Sequence, residues 1–296
     1  MDAPGTLTAE RLLRRLEWRV VRRLDGLLQG EHRSLFRGTG VDFTDLREYE
    51  PGDDLRHIEW NVTARLDTPF VREYVEDREV TTWLLLDVSR SMAFGPVDRQ
   101  KDRVMTEVVA AVAVIMARGG GRVGAVLFDS TVRRIVPPRT GRRHVLRIVQ
   151  DLLHPAAGTP EVTDLAGAVR ALDGLARRRS LVVLVTDFVS PGDWAGALGR
   201  LGRRHEVAAL QVTDPREVDL PAAGMLYVED AETGEQIFVD SDDAAFRSRL
   251  RTVALERRAE VAAACLRAGV DLHVVSTDED LVRALVRVAS LRRRRR

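Results

Sequence analysis

The chain alternates short, uninterrupted apolar runs with longer stretches whose apolar residues recur at helical spacing. Trp83-Leu84-Leu85-Leu86 and Leu181-Val182-Val183-Leu184-Val185-Thr186 are continuous apolar runs, the pattern of strands covered on both faces of a parallel sheet. Further strands are predicted over 123–128, 132–136, 207–212 and 272–276, and a hairpin over 225–228 and 236–239 that turns near Thr233-Gly234. Helices are predicted over 99–118, 142–153, 165–178, 194–204, 243–268 and 279–290. Strands and helices taken in turn predict an α/β fold: a mostly parallel open sheet with helices on both faces.

Before this body the pattern changes. Leu12, Leu16, Val20, Leu24 and Leu27 fall at helical spacing over 7–28, with Gly30 as a stop. The other face carries Arg11, Arg14, Arg15, Arg19, Arg22 and Arg23, with Glu10, Glu17 and Asp25 interleaved. Interleaved acids favour a solvated face over a helix lying on an acidic membrane, and peripheral membrane contact stays open. In the next segment Pro51-Gly52 is a turn, Asp53 or Asp54 caps a short helix running through Trp60, and a strand covers 69–74. Acids beside Arg56, His57 and Arg65 suggest a salt-bridged surface rather than a catalytic pair. The expected organisation is a helix (1–30), a distinct segment (31–79), the α/β domain (80–291) and an arginine tail (292–296).

Composition narrows the function classes. With 31% charged and 45% hydrophobic residues in 296, the chain has the make-up of a folded globular protein. No stretch approaches the roughly 18 apolar residues of a spanning helix, and no signal-peptide core is seen, so a cytoplasmic location is expected. Cys265 is the single cysteine and is expected to be buried packing. Net charge is +1, and Arg292–Arg296 alone contribute five positive charges, so the rest is net acidic. Nucleic acid is therefore not an expected partner. The tail reads as a solubilising terminus, with an anionic surface or acidic partner as the alternative.

The chemistry gathers at strand ends. Asp87-Val88-Ser89-Arg90-Ser91 follows the first buried strand, Asp187 ends the second, and Thr163 opens a loop leading into a helix. Ligands of open α/β sheets bind outside the carboxyl ends of the strands. Two acids and three hydroxyls there are hard oxygen donors suited to Mg²⁺ or Mn²⁺, with Ca²⁺ overlapping. Asp-x-Ser-x-Ser alone is also a helix-capping pattern.

Asp87, Ser89, Ser91, Thr163 and Asp187 together resemble the metal-ion-dependent adhesion site of von Willebrand factor type A domains. The resemblance covers about residues 80 to 290. It implies a Rossmann-like sheet, a divalent cation held directly or through water by those five residues, and a coordination position left for a partner's carboxylate. The preceding segment is similar to domain-of-unknown-function family 58. Gly38, Gly40, Asp42 and Phe43 are followed by Arg47, Tyr49, Pro51, Gly52, Asp53 and Asp54, then by Arg56, Ile58, Glu59, Trp60, Ala64 and Arg65. Members of that family are typically bacterial or archaeal and accompany MoxR-type AAA+ ATPases, helping them act on client proteins. The resemblance implies such an ATPase and a client as partners, with Asp53, Asp54, Arg56, Trp60 and Arg65 as candidate docking residues. Many relatives carry N-terminal membrane spans, and none is seen here.

Rival chemistries are weaker. The Gly119-Gly120-Gly121 run follows a helix and precedes a strand, the reverse of a phosphate cradle. His32, His57, His144, His154, His205 and His273 lack paired zinc-ligand spacing. A phosphatase with Asp87 as nucleophile needs a second acid two residues on, and Ser89, a poor general acid, stands there. No Gly-x-Ser-x-Gly elbow occurs. The expectation is a non-enzymatic, metal-dependent binding module with no catalytic residues. A metal-dependent phosphate-ester hydrolase is the alternative.

Overall fold

The computed structural model describes residues 8–16, 43–51, 53–55, 58–66, 68–74, 81–95, 99–154, 161–229, 234–281 and 283–285. In chain order the elements begin with α1 (Ala9–Leu16), β1 (Phe43–Glu48), α2 (Trp60–Leu66) and β2 (Phe70–Tyr74). The body follows as β3 (Thr81–Asp87), α3 (Lys101–Arg118), β4 (Arg122–Phe128), β5 (Val132–Arg139), α4 (Arg142–Leu153), α5 (Leu165–Leu175) and β6 (Leu181–Thr186). It closes with α6 (Trp194–Arg204), β7 (Glu206–Thr213), β8 (Met225–Glu229), β9 (Gln236–Asp240), α7 (Ala244–Arg267) and β10 (Asp271–Ser276).

Six strands form the central sheet in the order β10-β7-β6-β3-β4-β5. All neighbours are parallel except β4 and β5. The predicted fold class is therefore observed. The chain leaves β3 toward β4 and later returns on the other side as β6, so the order reverses between β3 and β6. That reversal opens a crevice at the carboxyl ends of these two strands, where ligands of such sheets sit.

The pleat divides the core. Leu84 and Leu86 pack with α1, α3 and α4 on one face, and Trp83 and Leu85 with α5, α6 and the last turns of α7 on the other. Alternate residues of a strand point to opposite faces, so one apolar run supplies both layers. In α1, Ala9, Leu12, Leu13 and Leu16 are buried against α3 and α4, while Arg11 and Arg14 are exposed. The helix predicted over 7–28 is thus seen as Ala9–Leu16, and the remainder lies outside the described residues. The helix predicted over 279–290 is seen at 281 and 283–285. No helix of the described residues is long and apolar enough to cross a membrane.

In the preceding segment the start of the short helix and its cap are corrected. The segment expected to be small and irregular or β carries a further strand: residues 43–48 form β1 and pair antiparallel with β2. The short helix begins at Trp60 instead of running through it. Asp53 does not cap it, because both its carboxylate oxygens accept from Arg47, at 2.6 and 2.7 Å, and one also accepts from the Glu50 amide. A bidentate guanidinium outcompetes a distant helix end. Those Arg47 bonds, then the Glu50 amide, hold the Asp53 carboxyl below its ordinary range.

Leu13 is fully buried on α1. Leu13→Ala is expected to destabilise the protein by about 2–5 kcal/mol in urea melts, whereas exposed Arg14→Ala should leave the midpoint nearly unchanged. Burial pushes the Cys265 thiol up to about 11, so thiol reagents at neutral pH should label it only when the protein unfolds.

Candidate metal centre at the strand ends

β3 stops at Asp87 because its carboxylate turns the chain. Oδ1 accepts from the Ser89 amide at 3.0 Å, a local Asx turn that competes with further strand pairing. A short 3-10 turn over Arg90–Ala93 follows and folds Ser91 back, so that Ser89 Oγ and Ser91 Oγ lie 3.0 Å apart. Asp87, Ser89 and Ser91 are all buried.

β6 delivers its neighbours by a similar device. Thr186 Oγ1 donates to Asp87 Oδ2 at 2.5 Å and accepts from the Phe188 amide at 3.1 Å. Asp187 Oδ1 accepts from the Val189 amide at 2.9 Å. Phe188 between them has φ +62°, a left-handed conformation that a bulky residue adopts only when its surroundings compel it. Burial of its ring against Trp194, 4.9 Å between centroids, provides that compulsion.

Thr163 is buried just before α5. Its carbonyl accepts from Ser190 Oγ at 2.6 Å, and that same hydroxyl accepts from the Leu165 amide. Ser190 thus stitches the start of α5 to the loop after Asp187. Just past β4, Asp129 reinforces the joint by accepting the Asp164 amide on its carbonyl at 2.9 Å.

Charge is the governing feature. Asp87 is 0% exposed, and the partners of its carboxylate are neutral donors. Burial, and then the Asp187 carboxylate beside it, push its pKa up to about 7 against the pull of the Ser89 and Thr186 bonds. Asp187 is held differently: its Oδ2 takes the Lys101 ammonium at 2.7 Å, and the same nitrogen reaches Glu217 Oε1 at 2.6 Å. Lys101 is 1% exposed and is the only lysine in the chain. Burial alone pushes its pKa down, but the attraction of Asp187 and Glu217 outweighs this and the net direction is up.

Among the described residues no group of three or more His, Cys, Asp or Glu side chains is placed to hold an ion. An ion here would have to rest on hydroxyls as much as on carboxylates. The residues fit that role: a buried carboxylate without a cationic partner and two serine oxygens in contact are hard donors for a divalent cation, and Thr163 adds a buried hydroxyl at the start of α5. Asp187 already carries an ammonium on one oxygen, so its contribution is the more indirect.

Sequence reasoning missed Lys101, Glu217 and Ser190. A sole lysine among 46 basic residues was a signal for the first. Asp214-Pro215-Arg216-Glu217, a reciprocal capping box, was a signal for the second, whose Oε2 accepts from the Asp214 amide at 3.0 Å. The candidate docking residues lie in the segment before the α/β body. Trp60 is 68% exposed, Asp54 and Arg65 are exposed, Asp53 is engaged by Arg47, and Arg56 lies outside the described residues.

The profile of the family described as Protein of unknown function DUF58 matches residues 45–260, from β1 to the later turns of α7. The chain belongs to the DUF58 family. The Mycobacterium tuberculosis (strain ATCC 25618 / H37Rv) protein Rv1480 is 39% identical over 285 residues, covering 95% of this DUF58 chain and 89% of its own. A Mycobacterium avium protein, MAV169, is 37% identical over 166 residues, covering 54% of this chain and 94% of its own. Among solved structures, BatB from Bacteroides thetaiotaomicron is 14% identical with a TM-score of 0.43, covering 71% of this chain and 99% of its own. The SpRpn10 VWA domain is 15% identical with a TM-score of 0.40, covering 70% of this chain and 93% of its own. Such overlaps carry no weight in the functional argument; the fold rests on the strand order above.

Lys101→Met removes the cation from a buried carboxylate and is expected to cost about 3–5 kcal/mol of stability. The double variant Lys101→Met/Asp187→Asn should recover part of that loss, a coupling that urea melts of the four proteins in the cycle will measure.

Proposed function

We propose that this DUF58 protein is a non-enzymatic interaction module that captures a partner's carboxylate through a divalent cation at the β3–β6 crevice. The supporting observation is the uncompensated, fully buried Asp87 beside the Ser89–Ser91 hydroxyl pair. Asp87, Ser89, Ser91 and Thr163 would hold the ion, with Asp187 behind them. A bound Mg²⁺, Mn²⁺ or Ca²⁺ would supply Lewis acidity and an open coordination position for an incoming Asp or Glu. The chain's own part is positional: the Asx turn, the Thr186 bond and the Ser190 stitch keep the donors in place before any ion arrives.

A hydrolase needs a general base, and two buried histidines are held away from this crevice. His144 bonds the Val123 carbonyl and His205 accepts from the Ser180 amide, both at the amino ends of strands and away from Asp87. Partnership with a MoxR-type AAA+ ATPase is part of the proposal, with β1, β2 and α2 as the docking element. It draws on the family resemblance and on the exposed apolar side chains of Leu55, Trp60 and Leu66, which suit a protein interface.

The test is thermal unfolding with EDTA and with millimolar Mg²⁺ or Mn²⁺. Wild type is expected to gain about 2.7 kcal/mol when the ion is at a hundred times its Kd. Asp87→Asn, which preserves the turn, should lose that gain. A wild-type midpoint indifferent to every divalent ion would overturn the proposal.

A further inference from the structure

The long helix α7 leaves a cleft beside this crevice. Its inward stripe runs through Leu250, Ala254 and Arg258 to Val261 and Cys265, residues spaced to share one face. Only the later part, Val261, Ala264 and Cys265, is buried in the core. Upstream the helix stands off the sheet and leaves a cleft of about 230 Å³. Leu250, Val253 and Ala254 form its helical wall, Val189 and Val218 face them, and Asp187 and Glu217 also line it.

Two guanidiniums set its charge. Arg257 and Arg258 line the cleft. Arg257 reaches the Phe188 carbonyl at 3.4 Å, and Arg258 forms no ion pair among the described residues. The acids opposite, Asp187 and Glu217, both bind the Lys101 ammonium. The cleft is lined by two guanidiniums and two carboxylates, and the buried Lys101 behind those carboxylates offsets their charge, so the cleft has apolar walls and an excess of positive charge on its α7 side. Its volume is below the roughly 300–1,000 Å³ of small-molecule and cofactor sites. It suits one or two side chains instead.

Resting on the function proposed above, we propose that the cleft is the second half of the partner site. It takes an aliphatic residue followed by an acidic one from the same peptide segment whose first carboxylate goes to the ion. The aliphatic side chain packs against Leu250, Val253 and Val218, and the acid pairs with Arg258. Asp187 borders both halves, so a single extended segment spans them.

Fluorescence anisotropy with three labelled glycine–serine peptides tests this: one with a single Asp, one with that Asp and a Leu-Glu pair after a spacer of graded length, and one with Leu-Glu alone. In Mg²⁺ the combined peptide at its best spacer should bind at least about tenfold more tightly than the single-Asp peptide, the equivalent of one good additional contact. Arg258→Glu and Val253→Asp, both upstream of the buried Val261–Cys265 part of α7, should abolish that gain while keeping single-Asp binding and the Mg²⁺-dependent rise in Tm. Weak binding of Leu-Glu alone in EDTA, lost in Arg258→Glu, supports the cleft even if no protein responds to Mg²⁺; that pattern sinks only the ion-dependent reading. A gain that survives both substitutions, or no contribution from Leu-Glu at any spacer length with or without ion, overturns the proposal.

Discussion

Two carboxylates buried side by side at the ends of neighbouring strands are the constraint on which this structure turns. Asp87 and Asp187 sit where β3 and β6 diverge, and water reaches neither freely. Like charges in such a place repel, and each also bears the cost of leaving water. The two acids meet that cost differently. Asp187 takes the ammonium of Lys101, brought in by the first turn of α3 and shared with Glu217. Asp87 has only amide and hydroxyl donors, and burial, then the Asp187 carboxylate, push its carboxyl up to about 7 against them. The asymmetry places unsatisfied negative charge beside the two serine hydroxyls and not beside Asp187.

The surrounding architecture serves that arrangement. The β3–β6 reversal opens the crevice, and the left-handed Phe188, fixed by Trp194, lets the chain turn sharply after Asp187. Ser190 then ties this loop to Thr163. Rigid strands thus present a polar group whose members come from three separate loops. Lys101 also connects regions: its partner Glu217 lies on the wall of the α7 cleft, so crevice and cleft share one charge network.

The strands of the α/β body were legible because their signals are local. Residues 181–186 are apolar without interruption and appear as β6 with the expected ends. The 225–229 and 236–240 hairpin and the helix Trp194–Arg204 also lie where periodicity places them. β1 was not legible. Phe43–Glu48 carries two acids and an arginine and no apolar run, and it is a strand because β2 supplies its hydrogen bonds. Asp53 misled for a related reason: a capping residue next to a turn bound the guanidinium of Arg47.

By itself the sequence determined which polar residues stand at the strand ends. Asp87, Ser89 and Ser91 lie within one turn of chain, and Thr163 and Asp187 each sit at a recognisable element boundary. Those relations follow from short-range periodicity and turn chemistry, which are written locally. Tertiary structure alone decided how the charges are shared. Lys101 meets Asp187 across 86 residues and Glu217 across 116. Which acid receives the single lysine depends on how α3 packs across the sheet, and no local pattern encodes that distance. The α7 cleft has the same origin: its stripe is visible as spacing, but whether the stripe is filled or left open is settled only when the helix meets the strands.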